Sequence, residues 1–122
     1  MLVAFTLVFA ATAEAAGSKY PTQLSLFSVG SFTATQTGAL GQVESASAAC
    51  IQGRTVTFSA HFPSGRTQIL DTDRSSGRGS WGVVFKTSAT AGADRLTVRV
   101  TKRRVGSGSS QKTCLADTFI LV

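Results

Sequence analysis

The chain has one histidine, His61, and a serine-based hydrolytic site would have to use it. Such a site needs a proton-transfer group or a metal beside the nucleophile. The G-x-S-x-G motif that presents the serine in many hydrolases does not occur in the sequence. Strand alternation also places His61 on the face opposite Phe58 and Ala60. We therefore expect a protein that is not an enzyme and has no catalytic residues.

Asp71 and Asp73 could offer oxygen ligands to calcium, because they begin a D-x-D-x-S segment. An EF-hand loop requires Gly at its sixth position and Glu at its twelfth. Those positions hold Ser76 and Gly82 here, so the match fails. We expect no metal and no cofactor, and we interpret Asp73 as a turn former that caps nearby N–H groups. A weak calcium site in this oxygen-rich loop is the alternative hypothesis.

Lys102, Arg103 and Arg104 form the one basic run of the chain. The predicted hairpin places Arg99 and Lys112 near this run, and the five side chains together could hold phosphate or carboxylate groups. The alternative is that these charges discourage a sheet edge from pairing with other chains. No aromatic residues that could stack on bases lie nearby, and no nucleic-acid-binding motif is present, so nucleic acid is not an expected partner.

Residues 2–11 (LVAFTLVFAA) form a short apolar run, and Ala13 and Ala15 frame an A-x-A site just after it. This arrangement is typical of a secretory signal peptide. The run is too short to span a bilayer as a helix, which needs about 20 apolar residues. We predict a signal peptide over residues 1–15, a single domain over residues 16–122, and no transmembrane segment in the mature chain. The protein is then secreted or held at the extracellular surface.

Cys50 and Cys114 are the two cysteines of the chain. In an exported protein such a pair is expected to be oxidised, because the compartment favours disulfides. Bridging them closes a loop of about 65 residues and stabilises the fold by roughly 4 kcal/mol in the chain-entropy estimate. We therefore predict a structural disulfide.

Length and composition indicate one globular domain, since the chain has 122 residues of which 43% are hydrophobic and 15% charged. That balance is too apolar for a disordered chain. Short alternating apolar segments broken by Gly, Ser and Thr are typical of an all-β protein. They predict about seven strands, over residues 23–32, 39–45, 54–62, 67–72, 80–86, 95–105 and 112–122. This spacing favours an antiparallel β-sandwich, with a core formed by Phe58, Trp81, Val83, Phe85, Leu96, Val98 and Val100.

Several segments resemble small exported bacterial domains of the carboxypeptidase-regulatory-like (transthyretin-like) or Ig-like type. They are residues 41–43 (GQV), residues 54–57 (RTVT), residues 72–77 ahead of Trp81, and the late Cys114. The resemblance implies a sandwich architecture. Such domains are commonly non-catalytic modules of extracellular proteins, so the resemblance implies a fold more than an activity.

Twelve basic residues against six acidic ones give a formal net charge of +6. This balance favours polyanions as partners, although it could serve solubility alone. We expect an exported, non-enzymatic protein with a binding or structural role outside the cell. The alternative is a cationic module that binds an anionic envelope polymer or a membrane surface through the basic hairpin of residues 99–112. The partner is then either such a polymer or a surface protein.

Overall fold

The computed structural model describes residues 17–121. The predicted signal peptide lies outside these residues. Within them, ten strands are joined by turns and by short 3-10 helices at Ala48–Cys50, Thr87–Thr90 and Gly108–Ser110. The strands are β1 Ser18–Tyr20, β2 Thr22–Ser31, β3 Gln36–Ser45, β4 Thr55–His61, β5 Thr67–Arg74, β6 Ser80–Lys86, β7 Arg95–Val100, β8 Arg103–Val105, β9 Lys112–Cys114 and β10 Asp117–Leu121.

The strands of the described chain form three sheets, which confirms the all-β prediction. A three-stranded sheet has the order β2-β3-β6, and a four-stranded sheet has the order β10-β7-β4-β5, both fully antiparallel. A small third sheet has the order β1-β9-β8, in which β1 and β9 run parallel. The arrangement is compatible with a β-sandwich.

The core lies between the two larger sheets. Trp81, Val83 and Phe85 alternate along β6 and are 3%, 2% and 5% exposed, as their shared parity predicts. Phe85 stacks on Phe58 of the facing sheet with ring centroids 5.0 Å apart. The predicted Val98 and Val100 are fully buried, whereas Leu96 packs at the margin of the core and is half-buried.

Two of the predicted strands are interrupted in the structure. Residues 95–105 divide into β7 and β8, and residues 112–122 divide into β9 and β10. At the two breaks the backbone carbonyls of Thr101 and Leu115 both accept hydrogen bonds from the guanidinium of Arg54. These carbonyls bind a side chain instead of a neighbouring strand, which explains why each ladder stops there.

Two aspartates join the edges of the larger sheets where β5 lies beside β6. We call such a boundary between the edge strands of the two sheets a seam. Asp73 Oδ2 accepts a hydrogen bond from the backbone N–H of Gly82 at 2.8 Å, and Asp71 Oδ2 accepts one from Val84 at 2.9 Å. β6 has no neighbouring strand on this edge, so the two carboxylates accept the hydrogen bonds that the carbonyls of such a strand would accept. The interpretation of Asp73 as a turn former is wrong, because β5 continues to Arg74 and the side chain points across to β6.

A third aspartate acts in the same way on the opposite side. Asp117, the first residue of β10, accepts a hydrogen bond from the backbone N–H of Leu24 in β2 at 2.8 Å. Edge N–H groups are thus bonded by carboxylates on both sides of the sandwich. Free edges are the usual sites of unwanted pairing between chains, so these bonds also protect the fold.

We expect Asp73→Ala to lower the free energy of unfolding by about 1.5–3 kcal/mol, the usual range for a hydrogen bond to a charged group. The physical reason is that the Gly82 N–H loses its acceptor in a partly buried seam. Urea unfolding followed by Trp81 fluorescence measures the effect. Asp94→Ala, which removes an exposed carboxylate, is the matched control and should change stability by less than about 0.5 kcal/mol. Equal effects of the two changes would contradict the assigned role.

Candidate functional site

A disulfide joins Cys50 to Cys114, as predicted. The Cα atoms are 5.4 Å apart, and both residues are fully buried. Cys50 ends a 3-10 helix and Cys114 ends β9, so the bond fixes the loop before β4 to the third sheet. An oxidised cysteine pair is consistent with an extracellular location.

Arg54 is 1% exposed, and its guanidinium is hydrogen-bonded to the backbone of Cys50 in the disulfide. Its Nη1 donates to the carbonyl of Cys50 at 2.7 Å and to the hydroxyl of Thr22 at 3.0 Å. Its Nη2 donates to the carbonyls of Thr101 at 2.9 Å and Leu115 at 3.0 Å. Burial, and then the nearby charge of Arg103, lower the pKa of Arg54. Four neutral acceptors therefore solvate a cation inside the protein.

Arg103 binds the loop of residues 49–53 from the outside. Its Nη1 donates to the carbonyl of Gly53 at 2.8 Å, and its Nη2 donates to the carbonyls of Ala49 at 2.9 Å and Gln52 at 2.8 Å. The side chain is half-buried. Three donors already occupied by the backbone leave this guanidinium poorly placed to capture a ligand.

Among the other members of the predicted basic hairpin, Lys102 is exposed in the turn between β7 and β8, and Arg99, Arg104 and Lys112 belong to three different strands. The β8–β9 register puts Arg103 and Lys112 on one face of the small sheet and Arg104 on the other. Lys112 also sits over the ring of Tyr20, 5.6 Å from its centroid. Arg99 belongs to β7 in the four-stranded sheet. Anion binding by this set of residues stays a prediction.

A shallow depression of about 530 Å³ runs along the outer face of the four-stranded sheet. We call it the trough. It is lined by outward-facing side chains of four strands, with no carboxylate among them: Thr57, Ser59, His61, Thr67, Ile69, Arg95, Thr97, Arg99, Thr101, Thr118 and Ile120. Directly paired residues of neighbouring strands point to the same face, so the lining forms rows that run across the sheet. We call each row of cross-strand neighbours a rung.

Two rungs of the trough contain an arginine. Arg99 lies between Thr57 on β4 and Thr118 on β10. Arg95 is paired with His61, at the end of β4. Both arginine side chains are exposed. The trough therefore has one cation near each end.

The rung between the arginines combines hydroxyl and aliphatic groups. Thr97 and Ser59 are paired in its centre, and Ile120 and Ile69 flank them with 57% and 63% of their side chains exposed. The floor is polar but largely covered, since Ser59 is 7% exposed and the Thr97 hydroxyl contacts His61, and the two isoleucines expose apolar surface on either side.

His61 is held at the floor of the trough by two threonines. Its Nε2 lies 2.8 Å from the Thr97 hydroxyl, and its Nδ1 lies 3.1 Å from the Thr67 hydroxyl. Both ring nitrogens are thus engaged with hydroxyl groups, so this histidine orients the polar surface around Arg95.

The opposite face of the sandwich is apolar. Phe32, Leu40 and Val84 line a groove of about 290 Å³ above Gly38 and Gly82. Phe32 is 64% exposed and Leu40 is 57% exposed. Residues 20–43 include no charged residue, so the β2–β3 hairpin is uncharged apart from Glu44 near the end of β3.

Sequence reasoning missed Arg95, the second cation of the trough. The sequence pattern that could have identified it is the alternation along β7, which places Arg95, Thr97, Arg99 and Thr101 on one face. The exposed isoleucines gave no signal, because single apolar residues are common on protein surfaces.

A comparison with protein-family models, with curated proteins and with solved structures found no match to this chain. No group of three or more His, Cys, Asp and Glu residues within positions 17–121 is arranged to hold a metal ion. No helix in that part of the chain is long and apolar enough to cross a membrane.

Proposed function

We propose that this protein is an exported, non-enzymatic β-sandwich of the Ig-like or transthyretin-like type that binds an anionic polymer outside the cell. The observation that supports this proposal most strongly is that acidic and basic side chains lie in different surroundings. Asp71, Asp73 and Asp117 bind backbone N–H groups along the seams, whereas Arg95 and Arg99 face solvent in a trough without carboxylates.

The net charge of the folded part agrees with this function. Glu14 lies in the proposed signal peptide, so residues 17–121 have twelve basic and five acidic residues, a formal net charge of +7. A field of that sign attracts polyanions over distances of about a Debye length, roughly 8 Å at physiological salt. The disulfide supports a location outside the cell, where it stays oxidised.

The surroundings of His61 support a binding role in place of catalysis. A serine nucleophile needs a histidine that is itself oriented by a third group such as a carboxylate. Here the two ring nitrogens face the hydroxyls of Thr97 and Thr67. A histidine in this arrangement positions neighbouring hydroxyls for a ligand.

A second candidate function is the binding of a surface protein. The groove of the β2–β3 hairpin, which has no charged residue in its lining and includes the exposed Phe32 and Leu40, favours it, because contiguous exposed apolar surface is typical of protein contacts. A partner at this face would bind with little dependence on salt, which distinguishes it from a polyanion.

Retention of the oxidised protein on immobilised dextran sulfate, with neutral dextran as the matched matrix, tests the proposed function. We expect binding to dextran sulfate alone. If about two charges are neutralised, affinity falls on the order of tenfold between about 50 and 200 mM salt. A folded, disulfide-bonded protein that binds neither matrix would overturn the proposal.

A further inference from the structure

We propose that the trough is the ligand site and that its ligand is a polysaccharide carrying carboxylate, sulfate or phosphate groups. This inference rests on the proposed function and names the surface and the ligand class. It moves the site away from the basic hairpin of residues 99–112, of which only Arg99 and the neighbouring Thr101 line the trough.

The spacing of the two arginines suits a repeating anionic chain. Arg95 and Arg99 are four residues apart on one strand, so their Cα atoms are separated by about 13 Å. Their strand, β7, is paired on both sides, with β4 and with β10. The sheet therefore fixes the backbone positions of both arginines, and a ligand need not order a loop to meet them.

Each arginine can bind an anionic group through a bidentate fork of N–H donors. Neither guanidinium faces a carboxylate within the lining of the trough. This contrasts with Arg103 and Arg54, whose Nη atoms already donate to backbone carbonyls. The trough lining thus presents two cations and no carboxylate, although Asp94 lies beside Arg95 in the adjoining pocket.

The rung between the arginines suits the rest of a sugar chain. The Thr97 hydroxyl contacts His61 Nε2 and Ser59 is 7% exposed, so the hydroxyl groups open to sugar hydroxyls are those of the exposed Thr101 and Thr118 around this rung. Ile69 and Ile120 offer exposed apolar surface on either side, against which the C–H faces of sugar rings can pack. A ligand that is anionic, hydroxylated and partly apolar matches all three features.

The residues that line the trough disfavour nucleic acid as its ligand. Proteins that hold single strands without sequence preference combine a basic groove with aromatic side chains on which bases stack. No Phe, Tyr or Trp lines the trough. A single-stranded homopolymer of thymidylate is therefore a discriminating competitor, since it carries the charge but lacks the sugar chain's hydroxyl surface.

The test compares two variants with the same change of charge. Arg95→Gln/Arg99→Gln removes both trough cations, and Lys102→Gln/Arg104→Gln removes two exposed cations of the predicted basic hairpin. We expect the first to weaken dextran sulfate binding by more than about tenfold, and the second by less than about threefold. Isothermal titration calorimetry at fixed salt measures both, and an unchanged urea midpoint shows that each variant is folded.

The outcomes separate this inference from the proposed function. If the wild-type protein does not bind dextran sulfate, the proposed function fails and the inference falls with it. If wild type binds but the Lys102/Arg104 variant loses affinity as strongly as the Arg95/Arg99 variant, the function stands and the trough is not the site. If thymidylate homopolymer binds as tightly as dextran sulfate, the trough is a general anion site and the polysaccharide assignment is overturned.

Discussion

Replacing Arg54 by alanine is expected to lower the free energy of unfolding by about 3–5 kcal/mol, because each buried acceptor left without its donor costs about 1–3 kcal/mol. The change leaves the carbonyls of Cys50, Thr101 and Leu115 without their donor in the interior. It also opens a cavity where the guanidinium packed. Urea denaturation followed by fluorescence of Trp81, the single tryptophan, measures the loss.

Two further variants make this result specific to the position. Arg54→Lys keeps the charge but lacks the planar fork that reaches four acceptors, so it should recover only part of the stability. Arg66→Ala removes an exposed arginine that lies over the ring of Phe62 and should cost less than about 1 kcal/mol. An Arg54→Ala protein as stable as Arg66→Ala would contradict the role assigned to the buried cation.

Replacing both cysteines by serine is expected to lower the free energy of unfolding by about 4 kcal/mol. The bond between Cys50 and Cys114 spans 64 residues of sequence, and its loss releases a large loop in the unfolded chain. It also places two hydroxyl groups at fully buried positions. The urea midpoint of the double variant, compared with wild type in its oxidised form, measures the effect.

Reduction by dithiothreitol provides the control for this prediction. It should lower the midpoint of the wild-type protein and leave the double cysteine variant unchanged. The effect of removing the disulfide and that of Arg54→Ala should not add, because Arg54 Nη1 binds the Cys50 carbonyl and both features hold the same loop. Strictly additive losses, or a wild-type midpoint insensitive to reduction, would contradict this coupling.

The core could be predicted from the sequence because strand parity is a local property. Trp81, Val83 and Phe85 share one face of β6, and burial follows wherever a second sheet covers that face. The disulfide pairing was predictable for a similar reason, since a chain with two cysteines allows one pairing. Neither conclusion depends on knowing where distant segments meet.

The strand breaks and the seams could not be predicted, because both depend on contacts distant in sequence. Arg54 interrupts strands through carbonyls 47 and 61 residues away. Asp73 is a residue type depleted in strands, so its local signal indicates a turn. Its place in β5 is stabilised by the N–H of Gly82 across the seam, and a partner of that kind leaves no local pattern.

The sequence pattern and the structure draw attention to different surfaces as the candidate site, and anion binding at either surface stays a prediction. Arg99 was recognised, but the consecutive charges of residues 102–104 favoured a site on the hairpin. In the structure, the backbone turns between β7 and β8 and distributes those charges over different surfaces. Arg103 and Arg104 alternate between the two faces of β8, whereas the alternation of β7 places Arg95 and Arg99 on one face.

The most direct test of the trough is an amide chemical-shift map of the ¹⁵N-labelled protein titrated with short dextran sulfate fragments. We expect the largest changes at Thr57, Ser59, Thr97 and Thr118, which line the rungs of the trough. The uncharged groove around Phe32 and Leu40 should remain unchanged. Changes concentrated in residues 102–112, or spread evenly over the surface, would contradict the trough as the binding site.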